Sequence, residues 1–161
     1  MLNKGVDEVL FDASGAAWGI KTGNEVAKAR LIIGDPSYFP ASKSRSVGHV
    51  IRSICILDHP IAGTDNAESV QIIIPATAVK RKNDIYVCMV SFAHMVAAEG
   101  KYIAIVSTTV ETATPLQEVA AGIALLGKVL VRFDDISEQK ESLADGVNDH
   151  CFISRSYDAT R

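Results

Sequence analysis

The sequence predicts a sheet-rich α+β or α/β domain in which an antiparallel meander precedes further strands, with few helices. Three observations predict this class. Short segments of period-two hydrophobicity alternate with glycine and asparagine turns near the start, four apolar runs rich in β-branched and aromatic residues follow, and a single segment carries a helix signature. The chain has 161 residues and no linker or internal repeat, so we expect residues 1–161 to form one domain.

The meander is expected between Val9 and Ala29, where turn residues separate short alternating segments. Residues 31–33 (Leu-Ile-Ile) form a continuous apolar run that Gly34 ends. Such a run is typical of a strand that is covered on both faces. A polar loop is predicted over residues 41–46, because serine and charged residues replace the apolar ones there.

The four apolar runs are predicted to be strands of the second sheet. They occupy residues 50–57, 70–74, 85–92 and 102–106. Both alternating sets of side chains in the third run are apolar, which predicts a sheet covered on both faces. Cys55 and Cys88 lie within these runs, so we expect them to be slowly reacting core residues and Cys151 to be the most reactive thiol. A further strand is expected over residues 129–133, followed by an acidic loop over residues 134–149.

The helix signature lies between Thr114 and Gly127. Thr114 is a suitable N-cap, Pro115 suits the first helical position, and Gln117 completes a capping box. Gly127 stands where the helix is expected to end. The apolar face of this helix is predicted to consist of Leu116, Val119, Ala120 and Ile123.

Composition and motifs exclude several classes of function. The formal net charge is −3 with both signs mixed along the chain, so nucleic acid is not an expected partner. No apolar run is long enough to span a membrane, the three cysteines lack CxxC spacing, and no N-glycosylation sequon occurs, which predicts a cytoplasmic protein. GxGxxG, P-loop, HExxH and GxSxG motifs are absent, and the four histidines are scattered, so we expect no enzyme activity, no cofactor and no metal.

Two charged segments are candidate sites. Lys80, Arg81 and Lys82 stand between two predicted strands. They fit either a charged hairpin connection or a basic surface patch for phosphate or lipid headgroups. Asp134 and Asp135 are adjacent, and such a pair is either a solvated strand end or cap, or a pair of metal carboxylates.

Six blocks of sequence stand in an order and spacing typical of one known family. They read Asp-Pro-Ser-Tyr-Phe-Pro at 35–40, Val-Ile-Arg-Ser-Ile-Cys-Ile-Leu at 50–57, Gln-Ile-Ile-Ile-Pro at 71–75, Arg-Lys-Asn-Asp-Ile-Tyr-Val-Cys at 81–88, Gly-Lys-Tyr-Ile-Ala-Ile-Val-Ser-Thr-Thr-Val-Glu at 100–111 and Ser-Arg-Ser-Tyr-Asp-Ala-Thr at 154–160. On these blocks the chain resembles the Rab GDP-dissociation inhibitor family. The resemblance spans almost the entire chain and is poorest over residues 118–149.

Family members are much longer, so the chain resembles an internal fragment. The resemblance implies a partial domain, the later part of the large sheet domain of a flavin-monooxygenase-like (FAD/NAD(P)-binding-like) fold. In this fold the antiparallel meander is accompanied by a mixed sheet. The N-terminal dinucleotide-fold unit, the helical domain and the C-terminal tail of the family are expected to be missing. A fragment of this kind leaves strand edges unpaired, and we expect this to favour self-association.

The resemblance also implies a role in small GTPase regulation and vesicle trafficking. Members of the family bind prenylated Rab GTPases in the GDP-bound form, slow GDP release and recycle them between membrane and cytosol, with only transient membrane contact. Met1 falls on a position of the family's Rab-binding platform, and Asn3 and Lys4 beside it are the other candidate Rab contacts. The implied protein is a regulator that carries no cofactor.

Two other interpretations share part of the pattern. A Rab escort protein segment belongs to the same superfamily, and a flavin oxidase-like remnant has the same meander followed by a strand. A flavin enzyme needs a glycine-rich dinucleotide fingerprint, which this sequence does not contain. Upstream and helical-domain sequence would separate an escort protein from a dissociation inhibitor.

Overall fold

The computed structural model describes residues 4–34, 38, 41–42 and 44–142, which form two sheets and little helix. The chain divides into two compact units, one of residues 1–47 with 139–161 and one of residues 48–138. The sheets have three and five strands, in the orders β1-β2-β3 and β5-β6-β7-β4-β8. The strands are β1 Glu8–Phe11, β2 Ala17–Thr22, β3 Glu25–Lys28, β4 Ser44–Leu57, β5 Ser69–Ile74, β6 Ile85–Ser91, β7 Tyr102–Thr109 and β8 Val131–Ser142.

The three-stranded sheet is the predicted meander. Both of its pairings are antiparallel, which confirms that prediction. The turn before β2 is closed by the carboxylate of Asp12, whose Oδ1 accepts hydrogen bonds from the backbone N–H groups of Ser14 at 2.8 Å and Ala16 at 3.0 Å. An aspartate that binds its own chain in this way favours a turn over a longer strand.

The strand predicted for residues 31–33 is wrong. Residues 31–34 join neither sheet, and Leu31 and Ile33 are exposed. Without a neighbouring strand among the described residues, an apolar run has no partner for its backbone groups and stays irregular.

The five-stranded sheet contains all four predicted apolar strands. Every pairing whose register the structure describes is antiparallel, so the sheet that we expected to be mixed is antiparallel in that part. Two boundaries differ from prediction. The strand β4 already begins at Ser44, inside the expected polar loop, and β8 continues to Ser142 through residues expected to form an acidic loop. Polar side chains do not prevent a strand from pairing along an edge.

One face of the five-stranded sheet, here called the inner face, carries the core of its unit. Neighbouring strands place Met89, Ala104 and Cys55 in one row, and Val87, Val106 and Ser53 in the next. All six side chains are buried. Burial raises the pKa of the Cys55 thiol, with Arg132 lowering it and Asp134 raising it, so the predicted core position of Cys55 is confirmed.

The opposite face, here called the outer face, is open to solvent to a much larger degree. Cys88 lies on it and is exposed, so the prediction that Cys88 is a core residue is wrong for this chain. Its neighbours in β6, Val87 and Met89, point to the inner face and are fully buried. Cys151 lies outside the described residues.

The predicted helix is present but divided. The structure has α1 at Pro115–Glu118 and α2 at Ala120–Leu126, separated by Val119. Pro115 holds the expected first position, but the Thr114 side chain makes no capping hydrogen bond. The buried residues are Glu118, Val119, Gly122 and Leu126.

The predicted helix face is therefore only partly right. Val119 is buried as expected, whereas Leu116 and Ala120 are exposed. Glu118 lies on the buried side instead, where its carboxylate accepts hydrogen bonds from the backbone N–H groups of Glu111 and Thr112. None of the helices among the described residues combines the length and hydrophobicity needed to cross a membrane.

Candidate functional site

The basic segment predicted as a candidate site forms the connection between β5 and β6. A 3₁₀ turn spans Ala76–Val79, and Lys80 follows in the left-handed region with φ 55°. The carboxylate of Asp84 accepts a hydrogen bond from the backbone N–H of Ala76 at 2.7 Å and closes the connection. The predicted hairpin connection is thereby confirmed, and Lys80 and Lys82 are exposed on it.

Arg81 does not join the two lysines at the surface. Its side chain is only 11% exposed, and Nη2 lies 2.6 Å from Glu118 Oε2 and 3.4 Å from Glu111 Oε1. The same nitrogen donates to the carbonyl oxygen of Thr109 at 2.9 Å. The charge of Arg81 is therefore neutralised inside the unit rather than offered to a ligand.

The Glu118 carboxylate fixes the end of β7 to α1. Its side chain is 3% exposed, and its oxygens accept hydrogen bonds from the backbone N–H of Thr112 at 2.7 Å, the Thr112 hydroxyl at 2.7 Å and the backbone N–H of Glu111 at 3.0 Å. A buried carboxylate with this many donors is fully satisfied.

Glu111 holds the basic connection from the other side. Its Oε1 accepts hydrogen bonds from the backbone N–H of Lys82 at 3.0 Å and of Asn83 at 2.8 Å, and from the Asn83 amide at 3.0 Å. We call Arg81, Asn83, Glu111, Thr112 and Glu118 the Arg81 cluster. The cluster binds the β5–β6 connection, the end of β7 and α1 together, and so holds the backbone from which Lys80 and Lys82 project.

Hydrogen bonding lowers the pKa of both carboxylates of the Arg81 cluster, Glu111 and Glu118. Burial alone raises the pKa of Glu118, but hydrogen bonds from Thr112, Arg81 and the backbone outweigh it, and the pKa lies below the usual 4.5. The pKa of Glu111 is lowered in the same way, since bonds from Asn83 and Lys82 outweigh burial.

These shifts predict where stability depends on pH. A carboxylate whose pKa is lower in the folded state contributes stability that is present above the unfolded pKa, near 4.5, and is lost as pH falls through the folded value. We expect urea midpoints of the wild type and Glu118→Gln to differ most at neutral pH and to converge toward about pH 3. A difference that stays constant over that range would contradict a depressed pKa at Glu118.

The N-terminal candidates lie in the other unit. Met1 and Asn3 are outside the described residues. Lys4 forms an ion pair with Glu25 of β3, and the two side chains are 37% and 63% exposed. An exposed pair of this kind contributes at most about 1 kcal/mol and exchanges readily with another anionic partner.

Asp134 is held in a structural contact. It accepts hydrogen bonds from the Ser53 hydroxyl at 2.5 Å and from Arg132 Nε at 2.8 Å, and so links β8 to β4. His59 lies 2.8 Å from the carbonyl oxygen of Pro60 and 3.0 Å from that of Lys128, which again is a structural position. No group of three or more His, Cys, Asp or Glu side chains in the described part of the chain is arranged to hold a metal.

Two features of this unit are not predictable from the sequence motifs. Glu111 and Glu118 were not recognised as partners of Arg81, because their separations along the chain carry no motif. An apolar loop after β6 was also missed, where Met95 is 91% exposed and Phe92 and Val96 are partly exposed. The only signal for that loop was an apolar run that continued past the end of the strand toward Gly100.

Comparison with known proteins gives one consistent result. The sequence model of the family described as "GDP dissociation inhibitor" matches residues 1–161. The "Probable secretory pathway GDP dissociation inhibitor 1" of Schizosaccharomyces pombe is 54% identical over 160 residues, which is 99% of this chain and 36% of that relative. "Rab GDP dissociation inhibitor beta" of Rattus norvegicus is 50% identical over the same shares of both chains.

A solved structure agrees with these relatives. The crystal structure of a Rab GDI from Plasmodium falciparum matches with a TM-score of 0.80 and 44% identity, over 98% of this chain and 36% of that one. The chain therefore spans little more than a third of the length of the relatives that it matches.

Proposed function

Since the chain belongs to the GDP dissociation inhibitor family, we propose that it works as one part of a protein that binds Rab GTPases in their GDP-bound, prenylated form, slows GDP release and recycles them between membrane and cytosol. The observation that carries this proposal is the identity of 50% over 160 residues to a rat protein named Rab GDP dissociation inhibitor beta. The family description names a regulator, in agreement with the prediction that the chain is not an enzyme.

The mechanism we propose is thermodynamic linkage. A protein that binds the GDP state of a GTPase more tightly than the nucleotide-free state must stabilise bound GDP by the same coupling free energy. Slower GDP release then requires no bond to be made or broken. Neither a Rab escort protein nor a flavin oxidase is named among the relatives described above, and neither alternative is favoured.

We propose two sets of contact residues in this chain. Met1, Asn3 and Lys4 form the first, as Rab contacts near the start. Lys80 and Lys82 form the second, because the Arg81 cluster holds their backbone while both side chains remain exposed. Two exposed ammonium groups on a backbone held in place suit an anionic surface such as the one that a membrane headgroup layer presents.

We also propose how the chain is placed in the whole protein. The chain forms the later part of a large sheet domain in a flavin-monooxygenase-like fold, and the protein works in the cytoplasm. The meander followed by the five-stranded sheet supports the placement in the fold. The dinucleotide-fold unit and the helical domain would belong to the length that this chain does not span. Self-association of the isolated chain through unpaired strand edges follows from the same placement.

The proposal predicts that activity requires the missing length. We expect the isolated chain, added in large excess, to leave the release of fluorescent GDP from a Rab GTPase unchanged. We expect a chimera, in which this chain replaces the matching 160 residues of the Schizosaccharomyces pombe relative, to slow release at least about 10-fold, a coupling free energy within the usual range.

Charge variants of the chimera test the second set of contacts. Lys80→Glu with Lys82→Glu is expected to weaken extraction of prenylated Rab from anionic vesicles, whereas Lys128→Glu, an exposed lysine elsewhere in the same unit, is expected to have no effect. Inhibition by the isolated chain, or a chimera that never slows GDP release, would contradict the proposed function. Equal extraction by both variants would exclude only the lysine contacts.

A further inference from the structure

The outer face of the five-stranded sheet carries a contiguous block of apolar side chains, which is bordered by polar ones at Ser69, Gln71, Arg52 and Ser107. The register joins Ile54, Ile105 and Cys88 in one row across β4, β7 and β6, and joins Ile103 to Val90 in the next. On β5, Ile73 is 49% exposed, and on β4, Ile54 is 37% exposed. The apolar block of the outer face consists of Ile54, Ile56, Cys88, Val90, Ile103 and Ile105.

The composition of this apolar block does not fit a surface that remains in water. An antiparallel sheet with one solvated face alternates between apolar and polar side chains along each strand. Here β6 presents Cys88 and Val90 outward between buried Val87 and Met89, and β7 presents Ile103 and Ile105. Apolar patches that polar residues surround mark surfaces that another layer covers.

The length of the relatives indicates what that layer is. This chain covers 36% of each relative, so nearly two thirds of their length lies outside it. A segment on the same polypeptide acts at an effective concentration in the millimolar range, far above that of a second molecule. A covering layer from the same polypeptide therefore outcompetes a second copy of the chain.

We propose that the outer face is an internal interface, covered by an apolar-faced layer from the part of the longer protein that this chain does not contain. This interface follows from family membership and from the greater length of the relatives, and it does not require Rab binding. In the isolated chain the outer face of the sheet is uncovered. The remainder of the protein completes a second hydrophobic core on that face.

Cys88 reports directly on this interface because it lies within the outer face. In the isolated chain we expect a maleimide to label Cys88 rapidly and buried Cys55 slowly, as measured by mass spectrometry. In the Schizosaccharomyces pombe chimera we expect labelling of Cys88 to slow by at least about 100-fold, since a covered thiol reacts only when the structure opens locally. Slow labelling of Cys55 in both proteins shows that both are folded.

Two outcomes would overturn the proposal. One is equal labelling of Cys88 in the isolated chain and the chimera, which would mean that the face stays open. The other is slow labelling of Cys88 already in the isolated chain. If that protection increases with protein concentration, the face is covered by a second copy of the chain.

Matched lysine substitutions give a second measurement. In the chimera, Ile54→Lys is expected to lower Tm by about 10 °C, because it places a charge in a covered interface. Met95→Lys, at an exposed apolar residue off the sheet, is expected to shift Tm by less than about 2 °C. In the isolated chain, Ile54→Lys but not Met95→Lys is expected to reduce binding of the dye ANS. Equal effects of the two substitutions in both assays would contradict an interface at the outer face.

Discussion

Replacement of Glu118 with alanine is expected to lower the free energy of unfolding by about 3–5 kcal/mol, the usual cost of removing one partner of a buried ion pair. Arg81 would keep its charge in a site where the Glu118 carboxylate lies 2.6 Å away. The backbone N–H groups of Glu111 and Thr112 would also lose their acceptor. Urea unfolding followed by circular dichroism measures the loss.

Two comparisons separate this cause from a general effect of substitution. Glu99→Ala, at an exposed glutamate in the loop before β7, is expected to change stability by less than about 0.5 kcal/mol. The double variant Arg81→Met with Glu118→Met is expected to recover part of the loss, because it also removes the buried Arg81 Nε, which has no hydrogen-bond partner in the described part of the chain. A single Glu118→Ala variant as stable as Glu99→Ala would show that the Arg81 cluster contributes little.

Replacement of Gly122 with alanine is expected to destabilise the protein, although alanine favours helices. A Cβ at this position would lie 2.4 Å from Val106 Cγ1 and 3.2 Å from methyl groups of Ile85 and Val87. Overpacking of a core costs about 1–3 kcal/mol, while the helix propensity gained is about 1 kcal/mol. The 2.4 Å approach to Val106 places the overpacking cost toward the upper end of that range, so we expect a net loss of up to about 2 kcal/mol, measured as a lower urea midpoint.

Val106→Ala supplies the matched partner for this substitution. If crowding is the cause, Gly122→Ala should cost less in a Val106→Ala background than in the wild type, and the two effects should not add. Gly5→Ala is a control for the residue change, because a Cβ at Gly5 meets nothing within 4 Å. Additive losses at positions 122 and 106 would show that the helix does not approach the sheet as closely as described.

Strand content was predictable because it depends on local patterns. The β-branched runs that form β4, β5, β6 and β7 can be recognised from a few residues each, and so can the turns of the meander. The burial of Glu118 was not predictable, since its carboxylate is satisfied by backbone N–H groups of Glu111 and Thr112 that the fold brings to it. Propensity describes a segment alone, and tertiary hydrogen bonds override it.

The candidate site was predictable only in outline. The sequence placed Lys80, Arg81 and Lys82 on one hairpin connection, which the structure confirms. It did not show that Arg81 turns inward to Glu118, a residue 37 positions later. The exposure of Cys88 escaped prediction for a different reason, because an apolar strand does not reveal which of its faces a neighbouring layer covers.

The order of strands in the five-stranded sheet has a consequence for folding during synthesis. The strands β5, β6 and β7 are consecutive and pair in that order, so each can join its predecessor as it leaves the ribosome. The strand β4 is made first but pairs with β7, where Ile51 meets Thr108. The apolar side chains of β4 therefore stay unpaired until β7 has emerged, and in that interval they are open to aggregation with other chains.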